Sequence, residues 1–430
     1  MSAAFLLLLG LFLGAGAIGM PIAFAMLIAG IAYLFAAGHD VGLAAEQILN
    51  GLYSSFVLLA VPLFILAAAV MNAGTISERL LAFCLALVGR LRGGLAHVNV
   101  VASVIFSGMS GSAIADAAGI GKVIIDMMRQ GDRYTPGFAA AITAASATIG
   151  PIIPPSIPMV LYALVSDTSV GYLFLGGVVP GLIMALALMA MVAVIAQRRK
   201  FPVEARVPLA ELPARTLRAF PALLLPVILL GGIYGGAMTP TEAAAVAAAY
   251  ALLLAGLGYR ALGVADLVRV FVESARSSAI VALIIGGAFV LNYVIASEQI
   301  PNALAAWLSG LDLPPLAFLL LVNLLFLLFG CFLDATVMLL VLVPLVIPTL
   351  RALGIDLVHF GVVIVVNIMI GLITPPYGVL LFVINSLTGI SLREMIAEIW
   401  PFLGALLVAL LVMILFPETV LWLPRQFGYR

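Results

Sequence analysis

The sequence predicts an all-α polytopic membrane protein, an inverted repeat with two re-entrant helical hairpins and two broken helices. Three observations carry that expectation. Of 430 residues, 65% are hydrophobic and 9% charged, with a mean hydropathy of +1.30, against about a quarter charged in a soluble domain. The hydrophobic skeleton also occurs twice: Ser54-Ser55 opens one apolar run, and Ser277-Ser278 opens another 223 residues later. The same shift carries Ser107-Gly-Met-Ser-Gly-Ser112 onto Gly330-Cys-Phe-Leu-Asp-Ala-Thr336. Finally, a shift of 221 carries Gly150-Pro-Ile-Ile-Pro-Pro155 onto Gly371-Leu-Ile-Thr-Pro-Pro376, and Pro180 onto Pro401. Paired Gly/Pro interruptions in corresponding membrane segments are the best sequence pointer to a transporter's binding site.

Each element is placed by the roughly 20 apolar residues that a hydrocarbon core requires. Residues 1–55 hold the first scaffold helices, with spans at 3–18 and 22–38 parted by Gly19-Met-Pro21. The N-terminus has no basic n-region and is read as a retained helix instead of a cleaved signal. A polar stretch with His39, Asp40, Glu46 and Asn50 follows. The first repeat is expected over 56–196: a span at 56–73, an amphipathic interfacial helix at 77–92, a re-entrant hairpin at 94–128, a broken helix at 137–165 and a span at 170–196. The only long hydrophilic stretch, 197–219, divides the halves with Arg198, Arg199, Lys200, Arg206, Arg215 and Arg218. Linking helices (220–237 and 241–258) and an interfacial arm with Arg260, Arg269 and Arg276 fill 220–276. The second repeat, 277–424, has a span at 278–296, a loop with Glu298 and Asp312, a hairpin at 314–349, a broken helix at 360–387 and a span at 400–422.

Orientation follows from the excess of Lys and Arg in cytoplasmic loops. The Arg198–Arg218 loop goes to the cytoplasm. Counting spans outward places Arg129, Arg133, Arg260, Arg269 and Arg276 on the same side. Arg351, Arg425 and Arg430 lie outside, and both termini are expected there. The count closes only if 94–128 and 314–349 enter and leave on one face each, the first from the cytoplasm and the second from outside.

Composition excludes other classes. A net charge of zero offers no field for nucleic acid. Cys84 and Cys331 have no partner spacing for a disulfide or a metal. An enzyme would need paired aspartates, a His-Glu cluster or an activated serine, and none occurs. A channel would need rings of charge along its pore.

The chemistry is expected at the hairpin tips, where half-helices end in mid-membrane and need partners. Ser107, Ser110 and Ser112 supply hydroxyl oxygens, and Gly108 and Gly111 let the backbone turn. Opposite them, Gly150, Pro151, Pro154, Pro155 and Ser156 break a helix and free carbonyls. The second copy offers Gly330, Asp334 and Thr336 with Gly371, Thr374, Pro375 and Pro376. Hydroxyls and carbonyls with little charge form the ligand set of a hard monovalent cation such as Na⁺. Small residues also pack helices closely with no ligand at all; the duplication of both breaks favours a site. Asp334 is a functional candidate because an ionisable group in mid-membrane is one by default; a helix N-cap is the alternative. Asp116 and Lys122 are read as a structural pair or an interfacial contact, and His97 and His359 as membrane-edge residues that carry no proton. Met184, Met189 and Met191 are assigned to packing or lipid.

With Gly19-Met-Pro-Ile-Ala-Phe24, the motifs Ser107–Ser112, Gly150–Ser156, Gly330–Asp334 and Thr374–Pro376 resemble the large membrane subunit of TRAP (tripartite ATP-independent periplasmic) transporters over essentially the whole chain. The resemblance implies an elevator-type secondary transporter of the bacterial inner membrane, like those of the ion transporter superfamily. It implies a sodium gradient as driving force, no cofactor beyond Na⁺ as coupling ion, and an organic acid such as a C4-dicarboxylate or sialic acid as substrate. It also implies a small four-helix membrane subunit and a periplasmic substrate-binding protein, both expected as separate chains. Neither tip has a basic residue, so a carboxylate would rely on half-helix N-termini, hydroxyls and bound Na⁺. A stand-alone sodium-coupled dicarboxylate transporter or ion exchanger of the same architecture is the alternative.

Overall fold

The computed structural model describes residues 2–429 apart from 54, 74–75, 204–207, 209–210 and 310–312. Ser54, Arg206, Asp312 and Arg430, singled out above, lie outside the described residues. Those described residues form helices, with one isolated bridge between Arg92 and Val203 in place of any strand.

Helices α1 (Ala3–Ala17) and α2 (Ile22–Ala36) pack as a pair across the Gly19 turn, whose φ is +80°. The polar stretch after them folds as α3 (Gly42–Tyr53). Its apolar side meets a later helix, with Ile48 at Gly286 and Phe289 at Gly51. Next come α4 (Ala60–Ala73) and the arm α5 (Ile76–Val88). The first hairpin follows. Its descending limb α6 (Gly94–Ser110) ends at Gly111, and its return limb is α7 (Ala113–Asp116), a π turn (Ala117–Gly121) and α8 (Lys122–Arg129).

The first broken helix is α9 (Pro136–Ala147) and α10 (Ile157–Ser166), and α11 (Val170–Arg198) crosses back. Helix α12 (Leu212–Tyr234) begins inside the stretch read as a dividing loop. Leu212-Pro-Ala supplies a first turn, where proline is tolerated. Helix α13 (Pro240–Leu253) starts on a capping box between Thr239 and Glu242. The arm and span expected separately at 260–276 and 278–296 are one helix, α14 (Val264–Ser297). No glycine or proline stands between Val264 and Ile285, so nothing stops it at the Ser277-Ser278 pair. The loop expected after it holds α15 (Ile300–Ser309).

The second hairpin repeats the first: α16 (Pro315–Gly330), then α17 (Ala335–Val337), a π turn (Met338–Leu342) and α18 (Val343–Ala352). The second broken helix is α19 (Leu357–Gly371) and α20 (Val379–Thr388). The last span is divided at Phe416-Pro417 into α21 (Leu392–Leu415) and α22 (Glu418–Gln426).

The repeats interlock. Half-helix α10 packs on the π turn of the second hairpin, and α20 on that of the first. The Tyr162 hydroxyl donates to the Leu357 carbonyl at 2.6 Å, and its ring lies over Gly361, where a Cβ would overlap it. The hairpins open at opposite ends of α11. The first has its base beside the C-terminal end, where Gly93 N–H donates to the Pro202 carbonyl at 3.0 Å. The second has its base beside the N-terminal end, where Arg351 donates to the Ser166 carbonyl at 3.4 Å. With 29 residues, α11 is roughly 43 Å long, which spans a bilayer.

Candidate functional site: the two hairpin tips

At the first tip, Gly111 takes φ +61° and ends α6, since an L side chain rarely adopts that conformation. A Cβ there would sit 2.6 Å from the Pro155 carbonyl oxygen, so the turn touches the break of the first broken helix. The Gly111 carbonyl accepts the Ile157 N–H at 3.4 Å, joining the tip to the start of α10. Ser112 caps the return limb, accepting from Ala115 N–H at 3.4 Å. Ser156 caps α10, accepting from Met159 N–H at 3.2 Å while its hydroxyl donates to the Pro151 carbonyl. The peptide between Pro154 and Pro155 is cis, as is that between Pro375 and Pro376. Ser107, Ser110 and Ser156 are fully buried. Ser107 spends its proton on the Val104 carbonyl at 2.6 Å, which leaves its oxygen lone pairs free for a cation.

The structure adds a residue assigned elsewhere above. Asp116 is 1% exposed, with Oδ1 accepting from the Ser110 hydroxyl. Its Oδ2 is buried with no hydrogen-bond partner among the described residues. Gly150 stands against that oxygen so closely that a Cβ would overlap it. Lys122 is exposed and forms no ion pair with Asp116 among the described residues, so the expected pair is not made. The physical reason is the return limb itself: Asp116 faces inward to Ser110, and the π turn carries Lys122 to the surface. A carboxylate with an unmatched oxygen, among hydroxyls and carbonyls, is a set that takes a cation or a proton. The rule that flagged Asp334 would have flagged Asp116 equally.

The second tip has the same layout but is more open. Gly330 crosses Gly371 so closely that a Cβ on Gly371 would lie 2.8 Å from the Gly330 Cα. Gly378 N–H donates to the Cys331 carbonyl at 3.2 Å, the counterpart of the Gly111–Ile157 bond. Asp334 caps α17, accepting from Thr336 N–H at 2.8 Å, so its N-cap geometry is present. Thr374 donates to the Ile370 carbonyl at 2.8 Å. Asp334, Thr336, Thr374 and Pro375 are half-buried, and Pro376 is exposed.

One further polar link escaped the sequence reading. Asn99 on α6 donates to Thr143 at 2.6 Å and accepts from Ser146 at 2.9 Å on α9. In the second repeat, Asn367 on α19 donates to the Asn323 side chain on α16 at 2.9 Å. A shift of 224 carries Asn99 onto Asn323 and Thr143 onto Asn367. Each hairpin's first limb is thus pinned to the first half of a broken helix. His359, buried, bonds the Met413 carbonyl at 3.0 Å, a structural contact.

Two pinned hairpins from opposite ends, each tip set into a helix break, define a polytopic membrane transporter of the paired-hairpin class. Residues 9–419 match the family described as tripartite ATP-independent periplasmic transporter, DctM component. The sialic acid TRAP transporter large permease protein SiaM of Vibrio cholerae is 42% identical, over 96% of each chain. The C4-dicarboxylate TRAP transporter large permease protein DctM of Pseudomonas aeruginosa is 43% identical over 87% of each. The 2,3-diketo-L-gulonate TRAP transporter large permease protein YiaN of Escherichia coli is 37% identical over 97% of this chain. Among solved structures, the Alcanivorax borkumensis YdaH transporter, 18% identical, superimposes with a TM-score of 0.63 over 87% of each chain, a likeness of fold. The chain belongs to the TRAP transporter large permease family.

Proposed function

We propose that this permease imports an organic acid, driven by an inward sodium gradient, with Na⁺ held at the two hairpin tips. The observation that carries the reading is the Asp116 oxygen that has no hydrogen-bond partner among the described residues, beside Ser110 and Gly150. A hard cation there would satisfy a group that is otherwise costly to bury. The substrates named for these relatives are carboxylates, and a carboxylate suits a site whose positive charge comes from bound Na⁺ and half-helix N-termini. Sodium binding first would raise substrate affinity, and substrate would raise sodium affinity by the same factor.

The hairpins and broken helices would move together as the transport body, and α1–α5 with α11–α14 would serve as scaffold. A periplasmic binding protein would deliver the substrate, and a small four-helix membrane subunit would brace the scaffold. The assembly would lie in the bacterial inner membrane with both termini of this chain periplasmic.

The test is uptake into proteoliposomes that hold the assembled transporter. An inward Na⁺ gradient should drive accumulation that survives collapse of a proton gradient. Uptake that follows protons and ignores Na⁺ would remove the cation assignment at both tips. The YdaH-like fold keeps one second reading open, a stand-alone sodium-coupled anion transporter. Transport by this chain alone, without binding protein or small subunit, would favour it.

A further inference from the structure

One contact recurs between scaffold and hairpin in both repeats. Asn72 on α4 donates its amide to the Ala115 carbonyl of the first hairpin at 3.5 Å. Asn292 on α14 donates to the Leu340 carbonyl of the second at 2.9 Å. A shift of 220 carries Asn72 onto Asn292, and a shift of 221 carries the π turn Ala117–Gly121 onto Met338–Leu342. In both places the amide Oδ1 is buried with no hydrogen-bond partner among the described residues. In both, the carbonyl lies in or beside a π turn, where the helical ladder is widened. Gly119, inside the first π turn, is held against Asn72 so tightly that a Cβ would overlap the amide oxygen.

We propose that Asn72 and Asn292 are positioning residues that set where each hairpin rests against the scaffold. Elsewhere along that boundary the contact is of small and apolar groups, as where Gly108 meets the Pro226 ring, with only 2.6 Å left for a Cβ. Such a surface has little preference for one register over the next, because dispersion is non-directional and lipid offers no hydrophobic gain. An amide aimed at one carbonyl does have a register. Displacing a hairpin along its scaffold helix breaks that bond and leaves a donor unpaired beside an acceptor already unpaired. The half-satisfied amide therefore biases one resting position without locking it, as a bistable element needs. This rests on the reading, above, that the hairpins move against the scaffold.

The test uses the full chain in lipid nanodiscs, with spin labels on exposed positions. Cys84 and Cys331 are buried and stay unlabelled. One label pair, at Gln130 and Leu257, reports on the first hairpin, and another, at Tyr53 and Ala352, on the second; all four residues are exposed. Distance distributions are recorded in NaCl and in choline chloride for wild type, Asn72→Leu and Asn292→Leu. Leucine keeps the branched shape and heavy-atom count, at somewhat greater volume, and removes the amide.

We expect two separations in wild type and a change of about threefold or more in their ratio in either variant, in both label pairs. Two separations in wild type with the same ratio in the variants would leave the asparagines as packing residues and overturn the inference, while the moving-hairpin reading stands. A single separation everywhere, in both salts, would end the moving-hairpin reading and the inference with it. If the leucine variants do not accumulate, Asn72→Ala and Asn292→Ala replace them, since alanine is the best helix former. Failure of these as well would show a structural role and also overturn the inference.

Discussion

At the residue scale, the two tips differ in what each carboxylate does. Asp116 is buried, with one oxygen unmatched, whereas Asp334 is half-buried and already occupied as an N-cap. Asp116→Asn should therefore be the more damaging change. It removes charge where the sodium site is proposed, and a charge-assisted contact contributes roughly 1.5–3 kcal/mol. That corresponds to about tenfold or more in the Na⁺ concentration for half-maximal uptake. Asp334→Asn keeps an oxygen that can accept from Thr336 N–H, so expression and folding should be near normal and the sodium shift smaller. Ser110→Ala should resemble Asp116→Asn in direction, and Thr374→Ala should act at the second tip alone. Sodium titrations of uptake for the four variants check the order. Equal, wild-type curves in all four would leave the tips as structural turns. Residues of this kind are only partly legible in sequence. Ser107–Ser112 and Gly150–Ser156 stand out because polar and proline punctuation interrupts an apolar background. The state of Asp116 does not, because it depends on Gly150, 34 positions away, closing over the carboxylate.

At the scale of elements, close approach of backbones holds the tips. Gly111→Ala forces a side chain into a left-handed conformation, which costs roughly 1–2 kcal/mol, and also into the Pro155 carbonyl, 2.6 Å away. Gly371→Ala meets Gly330 backbone atoms at 2.8 and 2.9 Å, and backbone cannot rotate aside. Both should lower the melting temperature of the purified protein, with Gly371→Ala separating α16 from α19. Gly10→Ala, with nothing within 4 Å of its Cβ in mid-helix, serves as the control. It should be neutral or stabilising by about 0.5–1 kcal/mol. Melts in which the three variants match would mean that the crossings tolerate a methyl and do not set the tip geometry. The breaks at the tips were readable because glycine and proline punctuate helices wherever they fall. The length of α14 was not, since Arg269 and Arg276 suggested an arm along the surface, whereas the helix simply continues through Ser277-Ser278. The helix α3 was hidden likewise, in a stretch whose polar side drew attention from Ile48 and Gly51 on the other.

At the scale of the whole molecule, the contacts sort the chain into two ends. Arg199 makes a bidentate pair with Glu398 at 2.7–2.8 Å, joining the end of α11 to the start of α21. Arg79 lies 3.9 Å from the centre of the Tyr259 ring, and Arg215 reaches the Ala82 carbonyl at 3.5 Å. At the other end, Ser2 N–H donates to Glu298 at 3.0 Å. Tyr429 packs on Tyr172, Phe427 on Tyr234, and Thr241 donates to the Phe56 carbonyl at 2.9 Å. The first end gathers Arg79, Arg92, Arg199, Arg215 and Arg218, and the second holds Ser2 and Tyr429. Positive charge marks the cytoplasmic side, so a reporter fused after Lys200 should read cytoplasmic and one at the C-terminus periplasmic. The two results are tied by α12, α13, α14, the broken helix α19–α20 and α21, five crossings between the first end and the second. A cytoplasmic reading at both points would require an even number of crossings in place of an odd one somewhere between Lys200 and Tyr429. Only the second hairpin could supply that, by passing through the membrane instead of returning at Gly330. The contact of Arg351 with Ser166, beside the N-terminal end of α11, argues for return. A cytoplasmic C-terminus would therefore break the inverted repeat and, with it, the pairing of the two tips that makes a shared sodium and substrate site possible.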